Sequence, residues 1–343
     1  MTDSKSITTF LAESQYLPVV DVRSPAEYAQ GHMPGAINMP LFTNEERAVV
    51  GTIYKNSGNE VAVEKGLEIV GPKMAGFVRE AKKIAKEKKI LVHCWRGGMR
   101  SSSMAWLFDT AGIKSATLRG GYKSFRNHAL ESFKRKLNLK VVGGETGSGK
   151  TEILHALAKS GEQILDLEAI AHHRGSSFGA IGQLGQPTHE QFENDLFSEI
   201  EKLDVTKTIW LEDESRSIGR VYIPNPMWEQ KTLAPCYRVQ IPFEIRVQRL
   251  VKDYGDFPKQ VLIEATERIR KRLGGLATQQ ALEAIGNGNL AEAVRIMLRY
   301  YDKAYDFPQR ERKYEGVNFI ACETGDPEKN AQLILEEDSR HGM

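Results

Sequence analysis

The chain has few cysteines and no long apolar run, and each shortage removes a class of protein. Its 343 residues contain three cysteines, Cys94, Cys236 and Cys322. So small and odd a number builds neither a disulfide framework nor a four-thiolate metal site, so a reducing compartment and at least one free thiol are expected. No stretch approaches the ~18 apolar residues of a membrane span. The opening MTDSKSITTF lacks the basic-then-apolar order of a secretory leader. The expectation is a soluble, cytoplasmic protein with no membrane partner. A strong net charge is also missing: 47 Lys and Arg against 45 Asp and Glu leave only +2. That near-balance hides a split. Residues 1–138 carry 21 basic and 13 acidic side chains, and the remainder 26 and 32. The basic first part could attract a polyanion such as RNA, although a solvated basic helix over Lys82 to Lys89 would account for part of the bias.

The hydrophobic share of 41% and charged share of 27% are those of ordinary globular proteins, and the length exceeds one comfortable core. Short apolar runs alternate with helical stretches: LPVVDVR, AINMP, the helix-like FVREAKKIAKEKK, ILVHC, the helical SSSMAWLFDTAGI, then SATLRGG. Strand and helix in alternation predict an α/β fold. We divide the chain into a first α/β domain over 8–125, a basic helical linker over 126–138, and a second α/β domain over 139–335. From about Asp253 onward the second domain reads as helical and charged. No internal repeat is visible.

Two loops carry chemistry. Cys94 ends an apolar strand and opens Cys94-Trp95-Arg96-Gly97-Gly98-Met99-Arg100-Ser101 ahead of a helix. A strand-to-helix turn aims backbone N–H groups at one point, and the helix N-terminus, Arg96 and Arg100 add positive character. Such a loop favours thiolate and binds an oxyanion above it. The second loop, Gly144-Glu145-Thr146-Gly147-Ser148-Gly149-Lys150-Thr151, fits G-x-x-x-x-G-K-S/T between an apolar strand and a helix. Its glycines let N–H groups approach a diphosphate, with Gly144, Gly147, Ser148 and Gly149 forming the cradle. Lys150 supplies positive charge and Thr151 can reach Mg²⁺.

Other stretches can complete the second site. QILDLE ends at Asp166 and Glu168, and TIWLEDES ends its strand at Glu212, Asp213 and Glu214. Spacing does not decide which of these carboxylates faces Mg²⁺. The small-residue loop around His173 and Arg174 could contact phosphate or substrate, while a metal site there lacks a third ligand. Arg246, Arg249 and Lys252, then Arg268 and Arg272, then Arg295 and Arg299 with Tyr300 and Tyr301 following, recur at helical spacing. They could grip RNA phosphates and stack on bases, or simply face solvent beside glutamates.

Asp21-Val22-Arg23, Glu27-Tyr28, Gly31 to Ala36 and Gly120-Gly121 resemble the signatures of rhodanese domains, which carry sulfur or selenium on a loop cysteine, here Cys94. Five residues separate Cys94 from Arg100, as in Cdc25-type phosphatase relatives and one more than in common sulfurtransferases. The wider loop suggests a tetrahedral donor such as selenophosphate. Together with Val50 to Lys55, the 144–151 motif and His173 to Gly179, the chain resembles the tRNA 2-selenouridine synthase family from about residue 10 to beyond 300. The resemblance implies replacement of sulfur by selenium in 2-thiouridine at the tRNA wobble position. It also implies an S-geranyl intermediate, with selenophosphate and geranyl diphosphate as co-substrates. The tRNA anticodon stem-loop is then the principal partner, and an enzyme supplying selenophosphate a further one. Two other readings stand beside it: a nucleotide-driven sulfurtransferase or Cdc25-like phosphatase, and a non-catalytic tRNA-binding regulator gated by nucleotide.

Overall fold

The computed structural model describes residues 3–176, 178–305 and 316–341. They form two compact units, residues 1–132 with 193–197, and 133–192 with 198–343. Each is built on a five-stranded, wholly parallel sheet with helices, the α/β class expected.

In the first unit the strands are β1 (Asp3–Lys5), β2 (Val19–Asp21), β3 (Ile37–Asn38), β4 (Lys89–His93) and β5 (Lys114–Leu118), in spatial order β1-β5-β4-β2-β3. A central parallel strand is covered on both faces, so its residues run apolar without alternation. This is why Ile90, Leu91 and Val92 are all buried. Around β4 pack Val20, Val22, Met104 and Phe108, side chains worth roughly 1.5–3 kcal/mol each when fully buried. Helix Met74–Ile84 stops short of the expected basic helix. Glu87 and Lys88 take positive φ of 51° and 55°, and the Lys89 N–H donates to the Lys86 carbonyl at 2.8 Å. The run Lys82 to Lys89 is therefore a helix end plus a tight turn rather than one solvated helix. Helix Gly121–Ser132 buries Tyr122, Phe125 and Ala129. Asn194, which belongs to this unit, donates to the Tyr122 hydroxyl at 2.8 Å.

The second unit contains β6 (Asn138–Gly144), β7 (Gln163–Leu165), β8 (Thr208–Glu212), a small antiparallel pair β9 (Ser217–Ile218) and β10 (Val221–Tyr222), β11 (Cys236–Gln240) and β12 (Val317–Ala321). The main sheet runs β12-β11-β6-β8-β7. Helices Lys259–Arg268, Gly275–Gly286 and Leu290–Tyr305 supply the expected helical portion, with a core of their own around Leu262, Ala281, Val294 and Leu298. Strand β12, which follows them, is a departure from the all-helical ending read from the sequence. It lies at the sheet edge with only Ile320 of the strand buried, and its short apolar stretch, broken by Asn318, follows directly on a segment whose sequence reads as helical and charged, which masks it. Among the described residues no helix is long and apolar enough to cross a membrane.

Candidate functional site

The thiol loop sits where β4 hands over to helix Met99–Thr110. Cys94 is only 3% exposed, with Sγ 3.2 Å from Ser101 Oγ and 3.9 Å from the Gly98 carbonyl. The loop is pinned from outside: the N–H groups of Tyr122 and Lys123 donate to the Cys94 and Trp95 carbonyls at 2.8 and 2.9 Å. Behind it, His93 is completely buried, and burial lowers its pKa so that it stays neutral. Arg100 does not turn toward the sulfur. Its guanidinium donates to both Glu27 carboxylate oxygens, at 2.7 and 3.2 Å. Burial acts to raise the Glu27 pKa, but the bonds and charge of Arg100 outweigh it and hold the carboxyl below its usual range. Arg96 is exposed and has no ion pair among the described residues, leaving it the cation available to a ligand at this loop.

The phosphate-type loop connects β6 to helix Lys150–Lys159. Gly149 caps that helix with φ +78°, and a Cβ there would lie 2.6 Å from the Arg249 guanidinium carbon. Only glycine meets both demands without strain. Lys150 Nζ donates to the Gly144 carbonyl at 3.3 Å, and Thr151 Oγ1 to Glu168 at 2.9 Å. Ser148 is buried within the turn. Arg246 braces the loop, donating to the Thr146 carbonyl at 3.2 Å while pairing with Asp302 at 2.8 and 2.9 Å.

Acidic strand ends converge on this loop. Asp166 caps the short helix Leu167–Ala171, accepting from the Ala169 N–H at 2.8 Å, and lies 2.7 Å from His155 Nε2. Glu212 ends β8 fully buried and accepts from the Leu167 N–H at 3.3 Å. Burial, reinforced by Glu214, pushes Glu168 up to about 8 against the opposing pull of Lys150. Burial likewise raises Glu212, with help from Asp166 and Glu168, and raises Glu214 in spite of Lys150 and Lys231. Crowded in this way, the carboxyls of Glu168 and Glu214 favour a cation between them. They open on a cavity of about 700 Å³ lined by Gly147, Gly149, Lys150, Thr151, Asp166, Glu168, Arg174 and Glu214, among others. The loop after Ala171 packs so closely here that a Cβ on Gly175 would fall 2.2 Å from a Glu214 oxygen.

Two family models match the chain: a Rhodanese-like domain over residues 6–128 and the tRNA 2-selenouridine synthase AAA domain over 137–267. The tRNA 2-selenouridine synthase of Bdellovibrio bacteriovorus is 34% identical, over 89% of this chain and 92% of that protein. This chain belongs to the tRNA 2-selenouridine synthase family. The synthase of the same name from Nitrosomonas eutropha is 38% identical over 92% of this chain and 80% of its own, and that of Pseudomonas fluorescens is 34% identical over 88% and 90%.

In this family member the second loop gathers nearly all the residues singled out for it in the sequence. Gly144 and Ser148 shape the turn, and Asp166, Glu168, Arg174 and Glu214 line the cavity with Lys150 and Thr151. His173 is buried behind it, with its pKa lowered by burial, and Glu212 is sealed beneath the strand end. The arginines read as possible RNA contacts divide. Arg246 is a buried strut, and Arg295 is half-buried and paired with Glu244 at 2.9 Å, whereas Arg249, Arg272, Tyr300 and Tyr301 line the cavity. Sequence reasoning missed Lys231. It is fully buried and donates to Asp213 at 3.0 Å and to the Glu214 carbonyl at 2.9 Å, so it holds the end of β8 in place. Its signal was faint, one lysine in a helix with no motif around it.

Proposed function

We propose that the chain is an enzyme that converts 2-thiouridine at the tRNA wobble position to 2-selenouridine with selenophosphate, through an S-geranyl-2-thiouridine made from geranyl diphosphate. The observation that carries this reading is the union of a phosphate-type loop, a large cavity and a second, separate thiol loop in a member of this family. In the first reaction the base sulfur attacks the allylic carbon of the donor. A C–S bond forms as the C–O bond breaks, and diphosphate leaves with the electron pair. Gly147, Gly149 and Lys150 hold the departing charge, which is electrostatic stabilisation of the transition state. Alkylated sulfur then leaves more readily than the unmodified thiocarbonyl sulfur.

Among the described residues no group of three or more His, Cys, Asp or Glu is arranged to hold a metal. The Thr151 hydroxyl and the Glu168 carboxylate, 2.9 Å apart, are nonetheless hard oxygen donors that suit Mg²⁺ once phosphate oxygens complete the set. Bound there, Mg²⁺ would offset diphosphate charge. Cys94 is assigned to the selenium step, with Arg96 attracting the anionic donor. Direct reaction of selenophosphate with the geranylated base is the alternative route.

Mass spectrometry of tRNA nucleosides tests the assignment. Lys150→Ala is expected to abolish S-geranyl-2-thiouridine, and Cys94→Ala to let it accumulate while 2-selenouridine disappears. The opposite pattern would invert the roles of the two loops.

A further inference from the structure

The cavity at the phosphate-type loop also holds an imidazole oriented by a carboxylate. His155 lies on helix Lys150–Lys159, one turn beyond Thr151, so the two share a face. Both line the cavity, as does Asp166. Asp166 is fixed just after β7 by two contacts. One of its oxygens accepts from the Ala169 N–H at 2.8 Å, and the other lies 2.7 Å from His155 Nε2. An ionised carboxylate only accepts, so Nε2 carries the imidazole proton and Nδ1 is left as an acceptor. Nδ1 has no hydrogen-bond partner among the described residues.

S-alkylation of a 2-thiouridine leaves a proton to be removed. The starting base has hydrogen on N3 and a double bond from C2 to sulfur, whereas the neutral S-alkyl product has a double bond from C2 to N3 and no hydrogen there. Several carboxyls of the cavity are already engaged. Glu152 pairs with Arg249 at 2.5 Å, Glu168 accepts from the Thr151 hydroxyl at 2.9 Å, and Glu214 is buried. His155 is the one imidazole among the described residues that line the cavity, and its ring is exposed to an entering base. Imidazole is also the side chain whose ordinary proton affinity suits transfer near neutral pH. From this arrangement we infer that His155 is the general base of the prenyl-transfer step and that Asp166 is the residue that positions it. The inference rests on the proposed prenyl transfer in this cavity and adds where the proton goes. As the C–S bond forms and diphosphate leaves with the C–O electron pair, the C2–S π electrons pass to sulfur. The N3–H electrons become the C2–N3 π bond, and the proton moves to His155 Nδ1. The imidazolium stands beside the Asp166 carboxylate and then releases its proton to solvent.

Single-turnover transfer by the full chain, from geranyl diphosphate to an anticodon stem-loop bearing 2-thiouridine, tests this. His155→Ala is expected to slow transfer roughly 10²-fold or more, with part of the rate recovered by added imidazole. His155→Gln, which keeps a donor for Asp166 but has no basic nitrogen, should be as slow. An electron-withdrawing 5-substituent on the thiouridine makes N3–H more acidic, so on that stem-loop the loss from either variant should shrink. Asp166→Asn should lose less, and its loss should shrink on the same substrate, which damage to the cap of helix Leu167–Ala171 would not produce. His155 variants that transfer at the wild-type rate, or that lose equally on both substrates without rescue by imidazole, would overturn the base and leave the donor reading standing. A wild-type protein that transfers no prenyl group to the stem-loop would overturn both.

Discussion

The thiol loop and the phosphate-type loop begin alike, each running from the end of a parallel strand through glycines into a helix, yet they are finished differently. At Cys94 the sulfur's own partner is local, Ser101 seven residues away, while Glu27 from the same unit pairs with Arg100. At Lys150 the surroundings come from afar, with acidic groups at and beyond the ends of β7 and β8, a lysine from helix Asn225–Leu233 and arginines from helix Phe243–Tyr254. One helix N-terminus faces a matched ion pair, the other a cluster of carboxyl groups whose proton affinity is raised. The same local geometry is thus surrounded by different chemistry in the two places, and under the proposed function one would present a thiol and the other hold a diphosphate, according to what distant segments bring to it.

Substitutions can break or sharpen that contrast. The largest effect should come from Lys231→Met, which removes the ammonium that pairs with the buried Asp213. Losing one partner of a buried pair costs about 3–5 kcal/mol, to be read from urea denaturation, and the phosphate-type site should lose activity with it. An unchanged midpoint would mean that β8 needs no internal cation. Gly175→Val drives a side chain into Glu214 at a positive φ of 63°. A cost of about 1–3 kcal/mol follows from backbone strain alone, measurable by the same method, with Cys94 alkylation unaffected.

The pH dependence is a smaller effect. Glu168 keeps its proton to about 8 in the folded chain but releases it near 4.5 when unfolded. Between those values the native state binds more protons, so stability falls as pH rises through that window. Melting temperature should therefore drop from pH 5 to pH 8, and Glu168→Gln should narrow the drop; equal drops would discount this carboxyl. The smallest effect concerns the other loop. Glu27→Gln removes the charge that matches Arg100, and Cys94 should react with iodoacetamide several-fold faster, by the modest worth of a partly exposed ion pair. No change in rate would show that Arg100 has no influence on the sulfur.

Much of this was legible in sequence because it is local. The alternation of strand and helix, the apolar run ahead of Cys94 and the glycine spacing before Lys150 each depend on residues within one turn of chain. The extent of the basic run Lys82 to Lys89 was misjudged because composition does not reveal positive φ at Glu87 and Lys88. Strand β12 escaped because an edge strand needs only one buried side chain to be held by its neighbour's hydrogen bonds. Arg246 looked like the other arginines at the same spacing, and only its burial against Asp302 and the Thr146 carbonyl sets it apart.

The sequence by itself determined two α/β units, the thiol and the cradle, since periodicity and glycine-rich turns are written in consecutive residues. Only the tertiary structure decided that Arg100 belongs to Glu27 and that Lys231 supports β8. Those facts depend on side chains tens to hundreds of residues apart, and what brings them together is the packing of the whole chain, in which no short stretch carries the information.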